Sequence, residues 1–384
     1  MNARTERDLD AAEWIGSGLL ARDPGDETVR RYTARLLQAQ GRSAHALDHW
    51  TALRDSDAND FEAAFHLAEA SVAAGLAPDA AAREAAPAAN ALFRAAIVDA
   101  LASPAHALEG EFRHIAISGV AYCGSTLLDR VLGGLPGVKS IGESHWITKV
   151  HRDGRYCDMT LSEPLEDAKF VPCTVCGARC EVLTPAFRRS LAADNTNWYR
   201  KIAARVGTRI LVSADKNLPK LTDKDPLLDL SALVVFKSPE QAWASQLDKL
   251  PKDRDESFYE AECRKYVDVW SRAYSAYLNH FRPHGRVVFL NFDAFTRDPE
   301  PLLRAVCEAL DLGFDADVLS RTVPGHAIGG NGRAMRRLRD KDYGVDITPL
   351  PEPVLDPAHS AIIAGHPGAQ AAWRRLMDRH ASLA

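Results

Sequence analysis

Residues 113–146 read RHIAISGVAYCGSTLLDRVLGGLPGVKSIGESHW, and this stretch decides the fold. Ile115, Ala116, Ile117 and Ser118 predict a short buried strand, Gly119 to Thr126 a glycine-bearing turn, and the apolar periodicity that starts near Ser125 a helix. A strand, loop and helix in that order bring free N–H groups and the positive end of a helix dipole to one point, where an anion is stabilised. Gly119 and Gly124 lack a Cβ, so the backbone there can bend sharply and approach a ligand, and the Ser125 and Thr126 hydroxyls add donors. The spacing is not G-x-x-x-x-G-K-[ST], so hydrolysis of ATP or GTP is not indicated. An ordinary strand-to-helix turn carries the same local pattern, and the rest of the chain must decide between them.

At 384 residues with 46% hydrophobic content, the chain is long for one compact domain and comfortable for two. A formal charge of -5 argues against a general nucleic-acid binder, which relies on a basic face. No run approaches the roughly 18 apolar residues of a membrane helix, and the opening MNARTERDLDAAEW is too polar for a secretory signal, so the expected location is cytoplasmic. Seven cysteines, four of them clustered, suit a reducing compartment with a metal site better than a disulfide scaffold.

Residues 1–108 hold no strand-like run and are rich in alanine, which predicts helices. A shift of 34 residues lays Asp23 and Asp26 on Asp57 and Asp60, Ala34 on Ala68, Ala39 on Ala73, and Gly41 on Gly75. The segment therefore resembles a short array of tetratricopeptide hairpins, which implies a scaffold for a protein or peptide partner. An Ala-rich helical domain packed on the rest of the chain is the other reading. Pro87 and Pro104 mark breaks beyond it.

Further β-rich runs at 138–141, 210–213, 233–236 and 287–292 alternate with helical or irregular stretches. This predicts an α/β body with a mainly parallel sheet flanked by helices, preceded by an all-α region. The expected division is 1–108 helical, 109–345 α/β with a Cys-rich insertion at 151–185, and 346–384 a proline-rich strap closing with a helix over 370–382. Ligands of such sheets sit beyond the carboxyl ends of the strands, where Tyr122 to Thr126, Glu143, Asp215 with Lys216, and Lys237 follow.

Gly119-Val-Ala-Tyr-Cys-Gly-Ser-Thr-Leu-Leu128 resembles the G-x-x-R-S-G-T-T-L-L loop of sulfotransferases that use 3′-phosphoadenosine 5′-phosphosulfate (PAPS). The likeness continues through Leu-Pro-Gly-Val and Gly142-Glu143, through Leu233-Val-Val-Phe-Lys-Ser-Pro-Glu-Gln-Ala-Trp-Ala-Ser245, through Asn291-Phe-Asp-Ala-Phe-Thr-Arg-Asp-Pro299, and through His326-Ala-Ile-Gly-Gly-Asn331. The resemblance implies a P-loop-type sulfotransferase fold and sulfuryl transfer to a hydroxyl or amine of a small-molecule or peptide acceptor. It implies that the loop from Tyr122 through Cys123, Gly124, Ser125 and Thr126 holds the 5′-phosphosulfate and that Lys216 neutralises charge as the S–O bond breaks. Glu143 accepts the acceptor's proton, Lys237 and Ser245 bind the 3′-phosphate, and Gly330, Asn331 and Arg336 complete the nucleotide site. The product is adenosine 3′,5′-bisphosphate, and no membrane span or nucleic-acid partner is implied.

Two departures stand out. Tyr122 and Cys123 occupy positions where the family has a basic residue and serine, and Lys237 stands where arginine is usual, without its bidentate fork. Arg333, Arg336 and Arg337 are candidates to supply the missing cation. The alternatives are a nucleotide-binding scaffold that has lost the reaction, or another transferase using Cys123, whose thiol at a helix N-terminus is expected to have a depressed pKa. A plain pairing of Lys216 with Asp215 or Asp223 is the structural alternative for that lysine.

Cys157, Cys173, Cys176 and Cys180 read C-x15-C-x2-C-x3-C, and four thiolates on two arms can close a tetrahedral structural zinc site. Free thiols or a redox pair are the alternatives, and His145 and His151 are spare ligands. The insertion is expected to wall an acceptor pocket near Glu143. Cys263 and Cys307 read as core residues. Trp198, Tyr199, Phe258, Tyr259, Trp270, Tyr274 and Tyr277 either line a pocket or pack a helix face, and their helical spacing favours packing.

Overall fold

The computed structural model describes residues 3–102, 111–160, 168–193, 197–216, 230–280, 286–321 and 325–383. Pro104, Asp223 and the side chain of Arg333 lie outside the described residues. The strands are β1 (Arg113–Ser118), β2 (Val138–Ser140), β3 (Lys149–Arg152), β4 (Arg155–Asp158), β5 (Ile210–Ser213), β6 (Leu230–Phe236) and β7 (Val287–Asn291). All five expected strands belong to one sheet, ordered β2-β5-β1-β6-β7, with every pairing parallel.

Ile115, Ala116 and Ile117 are fully buried because β1 is covered on both faces, as an uninterrupted apolar run requires. Alternation along the central strands feeds two cores. Ile115, Ile117, Leu233 and Val235 face Leu128, Leu132, Leu290 and Phe295, whereas Ala116, Val234 and Phe236 face Trp243, Trp270 and Tyr274. The chain steps from β1 outward to β2, returns through β5, and crosses β1 to β6, so the strand order reverses at β1. In open parallel sheets the crevice at such a reversal, beyond the carboxyl ends, is where ligands bind.

The first part of the chain forms helices at Ala3–Arg22, Glu27–Ala39, Ser43–Ser56, Phe61–Ala73, Pro78–Ala85 and Ala91–Ala102. The 34-residue period has a concrete cause. Asp26 caps Glu27–Ala39 through the Val29 amide, and Asp60 caps Phe61–Ala73 through the Ala63 amide. Both helices end at a left-handed glycine, Gly41 or Gly75. Phe61, Phe65, Phe93 and Ile97 give this region its own core, which Ala193 of the helix Pro185–Ala193 enters, and Asp99 pairs with Arg189 at 3.0 Å. No helix among the described residues is long and apolar enough to cross a membrane.

Two features depart from expectation. β3 and β4 form an antiparallel hairpin closed by Asp153-Gly154, both at positive φ as a type I′ turn needs. The C-terminal segment has two helices, Pro357–Ala364 and Pro367–Ala381, each starting at its proline behind the caps Asp356 and His366. Ile363, Ala369 and Leu376 are fully buried against the sheet's second core, so this segment completes the body rather than only strapping it.

Asp129, on the helix Ser125–Gly133, accepts the Ser140 hydroxyl and is almost fully buried. Burial pushes its carboxyl up to about 7, aided by the charges of Asp215 and Glu143 and opposed by the Ser140 hydrogen bond. The folded state holds this proton more tightly than the unfolded chain, so stability falls as pH rises from about 4 to about 7. Asp129→Asn is therefore expected to melt several degrees above the wild type at about pH 8, with the gap closing toward about pH 4; a gap independent of pH contradicts a buried, protonated Asp129.

Candidate active site

The loop after β1 has room for nothing but glycine at two places. A Cβ at Gly119 (φ 154°) would lie 2.4 Å from the Val235 carbonyl oxygen, and one at Gly124 (φ 103°) would lie 2.2 Å from the Phe292 ring. The loop therefore presses on β6 and on the segment after β7, and the helix Ser125–Gly133 starts at the sheet's rim. Gly124, Ser125 and Thr126 line a cleft of about 610 Å³ there, with Tyr122 at φ 65° beside them. The first amides of the helix have no intrahelical acceptor and so suit an anion.

Cys123 is different. It is buried, its thiol is pushed up by that burial despite Lys216 and Lys237 nearby, and its amide donates to the Val120 carbonyl at 3.3 Å. The expected low pKa fails because desolvation outweighs the helix terminus, and neither thiol nor amide of Cys123 is available as expected.

The other expected residues gather on the same cleft. Lys216 Nζ lies 3.0 Å from Glu143 Oε1, and the Trp146 indole donates to Glu143 Oε2 at 2.9 Å. Lys216 therefore pairs with Glu143 and not with Asp215. Asp215 is buried and accepts from the Ser144 hydroxyl, from the Tyr199 hydroxyl at 3.1 Å and from the His145 amide at 3.2 Å. The Tyr277 hydroxyl donates to the Lys216 carbonyl, so the segment that carries the lysine is fixed from behind.

Lys237 directly follows β6 and is buried, with Nζ 3.2 Å from Ser245 Oγ and 5.2 Å from the centre of the Phe292 ring. Burial lowers its pKa and nearby Asp293 works against that shift. Ser238 caps the helix Pro239–Leu247, and this places Ser245 back over the lysine. The segment 326–331 returns along the sheet edge: Ile328 accepts from the Glu143 amide at 2.8 Å, and the Asn331 amide donates to Thr126 Oγ1 at 3.1 Å. Gly330 and Asn331 line the cleft.

Of the three candidate arginines, Arg337 lines the cleft, and Arg336, expected in the nucleotide site, does not. On the helix Gly332–Arg339, Arg336 is exposed and Arg337 faces the cleft, because adjacent helix residues point about 100° apart. Arg337 is held by Asp342 at 2.6 Å. Arg130 and Lys249 also line the cleft and escaped sequence reading. Lys249 follows Ser245 by four residues, a spacing that could have signalled a shared face.

In the insertion, Cys173, Cys176, Cys180 and His326 hold their ligand atoms within 4.8 Å of one another. Cys157 is not among them. It pairs with Val150 across the hairpin, and its Sγ lies 3.8 Å from the Val150 carbonyl. His145 is engaged with Asp215, and His151 lies against the Tyr156 ring. Among the described residues, none of 151–185 lines the cleft, although Tyr156 packs edge-on against Trp146, whose indole holds Glu143. Trp198, Tyr199, Trp270 and Tyr274 are core, in keeping with packing. Tyr274 still serves the loop, its hydroxyl donating to the Val235 carbonyl at 2.8 Å.

No protein-family model matches the chain, and no curated protein sequence does. Among solved structures it is similar to the sulfotransferase domain from the curacin biosynthetic pathway (16% identity over 67% of this chain and 98% of that one, TM-score 0.40). It is similar to a sulfotransferase from Alicyclobacillus acidocaldarius (16% identity, 61% and 92% covered, TM-score 0.33). It is similar also to a sulfotransferase from Mycobacterium tuberculosis H37Rv (13% identity, 93% and 98% covered, TM-score 0.33). At these scores the likeness is too distant to identify the chain.

Alkylation of the native protein followed by peptide mass mapping is expected to leave Cys123 unmodified until denaturant is added. Rapid labelling of Cys123 in the folded state would instead reveal an accessible thiolate and restore it as a nucleophile.

Proposed function

We propose that the chain is a sulfotransferase that uses PAPS and delivers its sulfuryl group to a hydroxyl or amine. One observation carries the reading: residues scattered along the chain from Ala121 to Leu350, among them Glu143, Lys216, Lys237 and Asn331, meet on one cleft beyond the carboxyl ends of a parallel sheet, at the reversal of strand order. The donor set fits a nucleotide with phosphates at two ends. Lys237 and Ser245 form a buried cationic pocket on one side, and the helix terminus at Gly124, Ser125 and Thr126 offers amides on the other. When bound there, PAPS supplies a sulfuryl group on a phosphate leaving group.

The chain's own residues would do the rest. Glu143, with Oε2 fixed by Trp146, offers Oε1 to the acceptor's proton. Lys216, paired with that oxygen at 3.0 Å before reaction, would serve the leaving phosphate, where negative charge accumulates as the S–O bond breaks and Glu143 is neutralised by the acceptor's proton. Arg130, Arg337 and Lys249 add positive charge that the loop lacks at Tyr122. This offsets the first departure from the family pattern, and the burial of Cys123 weighs against a transferase built on its thiol.

The bounds 1–108, 109–345 and 346–384 are read as a helical domain, the transferase body and its C-terminal completion. The 34-residue repeat is read as tetratricopeptide-like hairpins for a protein or peptide partner, which would bring an acceptor to the cleft. Seven cysteines fit a reducing, cytoplasmic location.

Calorimetric titration tests this reading. Adenosine 3′,5′-bisphosphate is expected to bind wild type in the micromolar range, and Lys237→Ala to weaken it by about 2 kcal/mol, roughly 30-fold, the scale of a lost charged hydrogen bond. Glu143→Gln is expected to keep that affinity while losing transfer. Absence of binding by both the bisphosphate and PAPS contradicts the reading and leaves a repurposed fold.

A further inference from the structure

We infer that Cys173, Cys176, Cys180 and His326 bind one zinc ion, and that this ion clamps the segment 326–331 that positions Glu143 and Thr126. The inference stands on the cluster alone and holds whether or not the cleft takes PAPS.

The distances match the metal. With Zn–S near 2.3 Å and Zn–N near 2.0 Å, tetrahedral geometry separates sulfur from nitrogen by about 3.6 Å. His326 Nδ1 lies 3.5 Å from Cys176 Sγ and 3.4 Å from Cys180 Sγ. The backbone is shaped to match. Gly177, at φ 69°, donates its amide to the Cys173 carbonyl at 2.8 Å, closing the tight turn that brings the C-x-x-C sulfurs together. The sulfurs also attract N–H donors, as metal-bound thiolates do: Leu183 donates to Cys180 Sγ at 3.3 Å, and the amides of Val175 and Cys176 serve Cys173 Sγ.

An independent feature concerns charge. Arg188 is 2% exposed and donates to three carbonyls, those of Ile147, Val171 and Leu183. Among the described residues no carboxylate forms an ion pair with it, whereas Cys173 and Cys180 lie close enough to act on it electrostatically. A buried guanidinium needs a compensating negative charge. Zinc with three thiolates and a neutral imidazole carries a net charge of about -1, which supplies it.

The position of the site gives it a task. Next to His326, the Ala327 carbonyl accepts from the Thr174 amide at 2.8 Å, so the segment is tied to the cysteine knuckle at once. Ile328 then bonds Ile141 and Glu143 in the sheet edge, and Asn331 reaches the Thr126 hydroxyl. Five residues thus connect the metal ligand to both sides of the cleft. A Cβ at Gly329 would lie 2.4 Å from the Trp146 indole, which holds Glu143, so the segment has little slack.

Elemental analysis of the full-length protein is expected to find one zinc per chain. Cys176→Ser and His326→Ala are expected to lose it, and Cys157→Ser to keep it. Removal of zinc by a chelator is expected to lower Tm and to speed amide hydrogen exchange at Ile328 and Asn331, with both effects reversed by added zinc. The ligand set is overturned if Cys157→Ser loses the ion while Cys176→Ser and His326→Ala retain it. The site is overturned if the protein carries no metal and added zinc leaves Tm unchanged, or if mass analysis finds a disulfide among these cysteines. Unchanged exchange at Ile328 and Asn331 after complete zinc removal overturns the clamp.

Discussion

The backbone of Gly119 passes so near the carbonyl of Val235 that no side chain fits between them, and the cleft depends on that approach. It joins the end of β1 to the end of β6 just before Lys237, so the loop after β1 and the buried lysine share one wall. Tyr274 locks the contact from below, bonding the Val235 carbonyl at 2.8 Å and accepting the Val120 amide at 3.4 Å. A buried hydroxyl with two partners is costly to disturb, since either partner left alone in the core loses its hydrogen bond without water to replace it. The aromatic core and the site are therefore one construction.

Electrostatics follows from that geometry. The chain as a whole is acidic at -5, yet Lys216, Lys237, Lys249, Arg130 and Arg337 meet on one concave surface. Walls of low dielectric concentrate such a field, so the cleft attracts anions against the sign of the molecule. Three carboxylates also line it: Glu143, tied to Lys216 and Trp146; Asp346, which lies toward Arg337; and Asp248, 4.0 Å from Lys252. Cations reach the cleft beside Tyr122 from several elements: Lys216 and Lys237 from beyond β5 and β6, Lys249 from the turn after Pro239–Leu247, and Arg130 and Arg337 from helices.

Much of this was legible. Four of the five strands of the sheet, β1, β5, β6 and β7, carry short uninterrupted apolar runs, and burial on both faces is what such runs are for, whereas the edge strand β2 reads Val-Lys-Ser with Lys139 exposed. The residues after each strand were legible for the same reason, because a parallel sheet puts all carboxyl ends on one rim. The hairpin of β3 and β4 was missed because its side chains are largely exposed and lack that pattern, although Asp153-Gly154 carried its turn signal. Spacing misassigned the fourth metal-site position to Cys157, because His326 joins Cys180 across 146 residues and proximity in sequence cannot report that. Sequence offered Arg333, Arg336 and Arg337 together and could not choose Arg337, because helix phase is unknown until one face is anchored. Cys123 was misjudged because a helix terminus is visible in sequence and desolvation is not.

The central claim is that one cleft receives a nucleotide with a phosphate at the 5′ side on the loop and another at the 3′ side on Lys237 and Ser245. A crystal structure with adenosine 3′,5′-bisphosphate tests it most directly. The account predicts the 5′-phosphate on the amides of Gly124, Ser125 and Thr126 and the 3′-phosphate on Lys237 and Ser245. A nucleotide bound elsewhere, or one that leaves Lys237 and Ser245 untouched, would contradict it.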